Sequence, residues 1–165
     1  MMIRRVRETI LTVLAGTTVL LGVAACDDDD GPTGTTTVTY RSTMNGGNER
    51  PTAVTTNATG TATYSLSGNT LTYTVSAQNL SGPATGAHIH VGNATQAGAI
   101  VFPFNHASVA TGTIASGSID LSGAIIAGGI SGDSLRVLLN NGNAYTNVHT
   151  ALNPGGEIRG QILRQ

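Results

Sequence analysis

The chain has one cysteine, no tryptophan and no lysine, and only 10% of its residues are charged. One cysteine excludes an internal disulfide. Without Lys, and with its few Arg scattered, the chain has no basic patch, so nucleic acid is not an expected partner. Aromatics make up 4% of the sequence, so a core must be built mainly from Val, Ile, Leu and Ala. No Gly-x-Ser-x-Gly nucleophile motif occurs and acids are sparse after residue 37, which argues against a hydrolase.

What is present begins with a layout for export. Arg4, Arg5 and Arg7 precede an uncharged, largely apolar run from Ile10 to Val23, too short for a comfortable membrane span. The segment Leu21-Gly22-Val23-Ala24-Ala25-Cys26 resembles a bacterial lipobox, which implies cleavage before Cys26 and acylation of its thiol. Residues 1–25 are therefore expected to be a lipoprotein signal peptide. Residues 26–36, with Asp27 to Asp30, Gly31, Pro32 and Gly34, read as an acidic flexible tether. Cleavage would remove three of the eight Arg and one of the nine acids, leaving a formal charge of −3. The expected location is the cell envelope, periplasmic or surface-exposed, with the membrane as partner through the lipid. More than one acyl chain is what stable anchoring requires.

Residues 37–165 read as one domain in which side chains alternate with period two. Val38, Tyr40, Ser42 and Met44 share a face. Ala62, Tyr64 and Leu66 lead into a turn at Ser67-Gly68-Asn69, and Leu71, Tyr73 and Val75 lead back out, a hairpin pattern. Ala87, Ile89 and Val91 point one way, and His88 and His90 the other. Ile100, Phe102 and Phe104 follow, with Pro103 marking an edge or strand end. Alternation returns at 111–121. Ser131 or Asp133 caps a short helix carrying Leu135, Leu138 and Leu139, stopped by Asn141-Gly142. Ala144 to Thr150 is a strand, Asn153-Pro154-Gly155-Gly156 a turn, and 157–163 a closing strand. Seven or eight short strands predict an all-β fold, an antiparallel Greek-key-like β-sandwich with one short helix.

His88 and His90, at i and i+2 on a strand, project from one face with backbones about 7 Å apart. His149 lies on another strand. Imidazole suits copper and zinc, so these three are candidate metal ligands; structural residues hydrogen-bonded at strand ends are the alternative. Ligation by ordinary imidazoles should weaken below about pH 6. His106 follows an apolar strand and has no supporting motif. Glu157 and Arg159 share a face of the closing strand. They are expected to be structural, as a charge pair or with Arg159 tying down loop carbonyls; the alternative is a second layer in which Glu157 orients a histidine and Arg159 steers an anion.

Four segments in order carry a resemblance: Asn45-Gly46-Gly47-Asn48-Glu49-Arg50-Pro51, Ala58-Thr59-Gly60-Thr61-Ala62, Ala87-His88-Ile89-His90, and Asn147-Val148-His149-Thr150 with Pro154-Gly155-Gly156-Glu157-Ile158-Arg159-Gly160-Gln161. Together they resemble the CHRD domain, named for chordin and common in bacterial secreted proteins. The family implies no agreed activity. It leaves a non-catalytic module binding a protein, a glycan or a metal ion, rather than an enzyme, as the main expectation. Ala87-His88-Ile89-His90 and Asn147-Val148-His149 are also similar to the copper-binding strands of copper-zinc superoxide dismutases. That similarity implies copper ligands at His88, His90 and His149, and as the alternative function a copper-dependent redox protein. This chain departs from that pattern in having no disulfide pair and no zinc loop.

Overall fold

Two residues between complementary strands make the tightest local feature. Gly68, at φ +56°, and Asn69 turn β2 (Thr59–Ser67) into β3 (Thr70–Gln78), which pair antiparallel along their whole length. In the computed structural model, residues 36–123 and 129–165 are described, within the unit Gly34–Gln165. Cys26, the signal segment and nearly all of the acidic tether lie outside the described residues.

The other strands are β1 (Thr37–Asn45), β4 (Ala84–Val91), β5 (Ile100–Pro103), β6 (Gly112–Asp120), β7 (Ala144–Thr150), β8 (Ile158–Gln161) and β9 (Leu163–Arg164). All pairings are antiparallel, in the order β5-β4-β7-β8-β1-β2-β3-β6, with β9 also on β1. The all-β, antiparallel expectation stands, and β5 with its Pro103 is an edge as expected. The layers arise differently from two separate sheets. One sheet curls into a half-barrel, so that inward rows from its two halves face each other. Tyr40, Met44, Tyr64, Leu71 and Val75 of one half and Ala87, Ile89, Val148 and Ile158 of the other lie in one core. A hydrogen bond of 2.7 Å between Tyr64 Oη and Thr146 Oγ1 crosses it. Burial drives the phenol of Tyr64 well above its ordinary pKa, so it stays neutral there.

The expected closing strand 157–163 is split in two, which brings the described strands to nine. β8 runs beside β7, Ile162 still donates its N–H to Ala144 O, and β9 then crosses to β1. The crossing needs backbones to approach closely at Gly160. A Cβ there would sit 2.3 Å from Thr43 O and 2.5 Å from Ser42 Oγ, and the gap admits instead a hydrogen bond from Ser42 Oγ to Gly160 O. The helix α1 (Gly132–Asn140) is capped by Ser131, whose Oγ accepts from Ser134 N, and not by Asp133. Such a cap contributes about 1 kcal/mol. Leu135 and Leu139 are fully buried, Leu138 partly, and Gly142 at φ +65° follows the last turn.

Candidate functional site

Alternation on β4 sends Ala87 and Ile89 into the core and Gly86, His88 and His90 to the opposite face. On β7 it sends Ala144, Thr146 and Val148 inward and Tyr145, Asn147 and His149 outward. The register sets Gly86 opposite His149, His88 opposite Asn147, and His90 opposite Tyr145. His149 is thus diagonal to His88, within reach of a long side chain. Gly86 leaves the space that both rings use: a Cβ there would lie 3.0 Å from His88 Cε1 and 3.6 Å from His149 Cδ2.

The outcome is a three-histidine cluster. His88 Nδ1 and His149 Nε2 are 3.0 Å apart. The ring centroid of His88 is 4.8 Å from that of His149 and 5.5 Å from that of His90, and one ligand nitrogen from each residue lies within 4.8 Å of the others. His90 Nδ1 is 2.9 Å from Gly98 O and His149 Nδ1 is 3.1 Å from Pro154 O. A carbonyl only accepts, so both rings carry their proton on Nδ1; the Nε2 of His149 then accepts from His88 Nδ1, and that of His90 is left bare. His90 Nε2 is buried and has no hydrogen-bond partner among the described residues.

Burial lowers the pKa of all three histidines. For His88 burial and the charges of His149, His90 and His106 bring it to about 4. For His90 burial outweighs the opposing bond to Gly98, and for His149 burial outweighs the bond to Pro154. The cluster is therefore neutral at neutral pH, the state in which imidazole binds metal. His106 stays outside it, its Nδ1 3.4 Å from Ala107 O.

The face carrying these rings is drier than an exposed second face of a sheet. His90 is 8% exposed, and Tyr145, Asn147 and Arg159 are buried. Residues 92–99 and the segment around Glu49 cover it. Arg159 and Glu157 do not pair with each other; among the described residues the one ion pair is Arg136 with Asp133. Arg159 Nη2 donates to Asn93 O at 2.6 Å and to Gln96 O at 2.9 Å, which is the loop-tying arrangement. Its guanidinium carbon lies 3.5 Å from the centre of the Tyr145 ring. Glu157 accepts from Thr56 Oγ1, Thr150 Oγ1, Ser81 Oγ and Ser81 N. Burial alone would raise its pKa, but the bonds from Ser81, Thr150 and Thr56 win and hold it below the ordinary value.

Three residues with no role in the sequence reading belong here. Glu49 Oε2 accepts from Asn147 Nδ2 at 3.2 Å, while Glu49 Oε1 and Asn147 Oδ1 are buried without partners among the described residues. Burial raises the Glu49 carboxyl to about 7 against the opposing effects of Asn147, Arg159 and Arg50. Both side chains crowd Gly156, at φ +126°, where a Cβ would lie 2.6 Å from Asn147 Oδ1 and 2.8 Å from Glu49 Oε1. Tyr145 stacks on His90 at 4.9 Å with 9° between the rings. Tyr145 and Asn147 were reachable from the sequence, since period two puts them on the His149 face. Glu49 carried no such signal, because it sits in a loop about a hundred residues away.

The CHRD domain family model matches residues 40–162. No curated protein and no solved structure matches the chain.

Proposed function

The chain belongs to the CHRD domain family, and from that premise we propose an envelope-anchored lipoprotein whose domain is a non-catalytic binding module with a mononuclear copper or zinc site at His88, His90 and His149. The observation that carries the metal reading is the convergence of three neutral imidazoles with the bare, buried Nε2 of His90 among them. The outer ligands of one ion, at metal–nitrogen distances of about 2.0–2.1 Å, lie at most about 4 Å apart. The present limit of 4.8 Å thus requires ring movements of under about an ångström. Intrinsic affinity favours copper(II) over zinc.

Calorimetric titration of the purified full chain with copper(II) and with zinc tests the site. One ion per chain is expected, lost in a triple His88→Ala, His90→Ala, His149→Ala variant. Equal heats from wild type and variant would make the cluster structural. With the His88 pKa near 4, ligation should also persist below the pH 6 at which ordinary imidazoles protonate. Anchoring rests on the motif ending at Cys26 and on the acidic run after it. The wild-type chain expressed in a bacterium should partition with detergent-extracted membrane, and Cys26→Ser should release it. A Cys26→Ser chain processed and retained like wild type would remove the lipid from the account.

A further inference from the structure

We infer that Tyr145 and Arg159 are positioning residues for His90, holding it as the Nδ1–H tautomer with Nε2 bare and facing the other two histidines. The inference rests on the metal reading for its purpose but not for its geometry. β7 lies between β4 and β8; His90 is opposite Tyr145 in register, and Arg159, opposite Asn147, reaches the Tyr145 ring from the diagonal position on the other side. The imidazole stacks nearly parallel to the phenol ring, and the guanidinium packs against the same ring within 3.5 Å. This fixes the plane of His90.

The second constraint is the carbonyl of Gly98, which reads the ring's proton. That carbonyl is placed by a loop with few choices. Arg159 Nη2 holds the loop at Asn93 O and Gln96 O. Gly98 N donates to Tyr145 Oη at 3.1 Å, so the phenol that stacks on His90 also anchors the residue that orients it. Gly98 itself is packed so closely that a Cβ would fall 1.8 Å from Val91 O. Three hydrogen bonds on the loop, and the stack and the carbonyl on the imidazole, therefore converge on one tautomer. A device that served only to pin a strand end would not leave the remaining nitrogen buried and unpaired, because that arrangement is unfavourable until a ligand takes the lone pair.

Two-bond nitrogen–proton correlation spectra of the metal-free full chain at neutral pH read the tautomer directly. Wild type should show His90 as Nδ1–H. Arg159→Gln should populate the Nε2–H form and weaken copper(II) binding about 10- to 100-fold, the usual effect of losing an outer-layer partner. Tyr145→Leu should do the same, whereas Tyr145→Phe, which keeps the stack, should retain most of the affinity. A His90 that is Nε2–H in wild type overturns the inference. So does a folded Arg159→Gln with unchanged tautomer and affinity. If wild type binds no ion, the metal reading fails separately, and the tautomer spectra still decide whether the pair positions His90. Should Arg159→Gln not fold, the two Tyr145 variants carry the same decision.

Discussion

Two parts of one sheet treat their outward side chains in opposite ways. On β1, β2, β3 and β6 the outward positions fall in register as rows of Ser and Thr, with Arg41 at the end of one. Thr39, Ser65, Thr72 and Ser118 form one row, and Arg41, Thr63, Thr74 and Ser116 another. Most of these are exposed and satisfied by solvent. On β4, β7 and β8 the outward positions include His88, His90, Tyr145, Asn147, His149, Arg159 and Gln161, and loops close over most of them. All five buried side-chain atoms that lack a hydrogen-bond partner among the described residues belong to this covered face or its cover: Glu49 Oε1, His90 Nε2, Asn147 Oδ1, Arg159 Nη1 and Gln161 Oε1. An exposed polar face asks nothing of its neighbours. A covered one must satisfy each group internally, and the groups it fails to satisfy are where a ligand or a proton has a place.

That contrast breaks most sharply at Glu157, whose carboxylate takes donors from three separate segments. Glu157→Ala should lower stability by about 3 kcal/mol, since it strands buried donors on Ser81, Thr150 and Thr56. The shift of the urea midpoint at constant slope measures it, and a shift of under about 0.5 kcal/mol would show the network to be idle. The depressed pKa also has a sign. Its contribution is present above the unfolded-state value and is lost as pH falls through the folded one.

Glu49 sharpens the comparison, because it is an equally buried carboxyl with one donor where Glu157 has several. Its folded pKa of about 7 lies above the ordinary value of 4.5. The stability it contributes is therefore full below pH 4.5 and declines as pH rises through about 7. At about 1.4 kcal/mol per unit the span is on the order of 3 kcal/mol, lessened where another group titrates oppositely. Unfolding midpoints of wild type and Glu49→Gln between pH 5 and 8 should diverge, with the variant the flatter. Parallel curves would mean that Glu49 is ionised throughout.

The exposed face should give the smallest effect. Thr63→Ala and Thr74→Ala, opposite each other across β2 and β3, are expected to change stability by under about 0.5 kcal/mol each. A loss above 1 kcal/mol would mean that this face is not simply solvated.

Features that depend on neighbours in the chain were legible in the sequence: the Gly68-Asn69 hairpin, the strand alternation, a short helix starting at Ser131 or Asp133 and the shared side of His88 and His90. Each follows from backbone geometry repeated over a few residues, and so does the all-β class. Tertiary structure alone decided the rest. It joined the strands into one curled sheet by splitting the last strand at Ile162, because Gly160 lets β8 press against β1. It set His149 diagonal to His88 through a register that spans some sixty residues. It brought Glu49 against Asn147, and the carbonyl of Gly98 against His90. A carbonyl has no side-chain identity to read, and a loop carboxylate has no period, so neither partner was visible before the chain closed on itself.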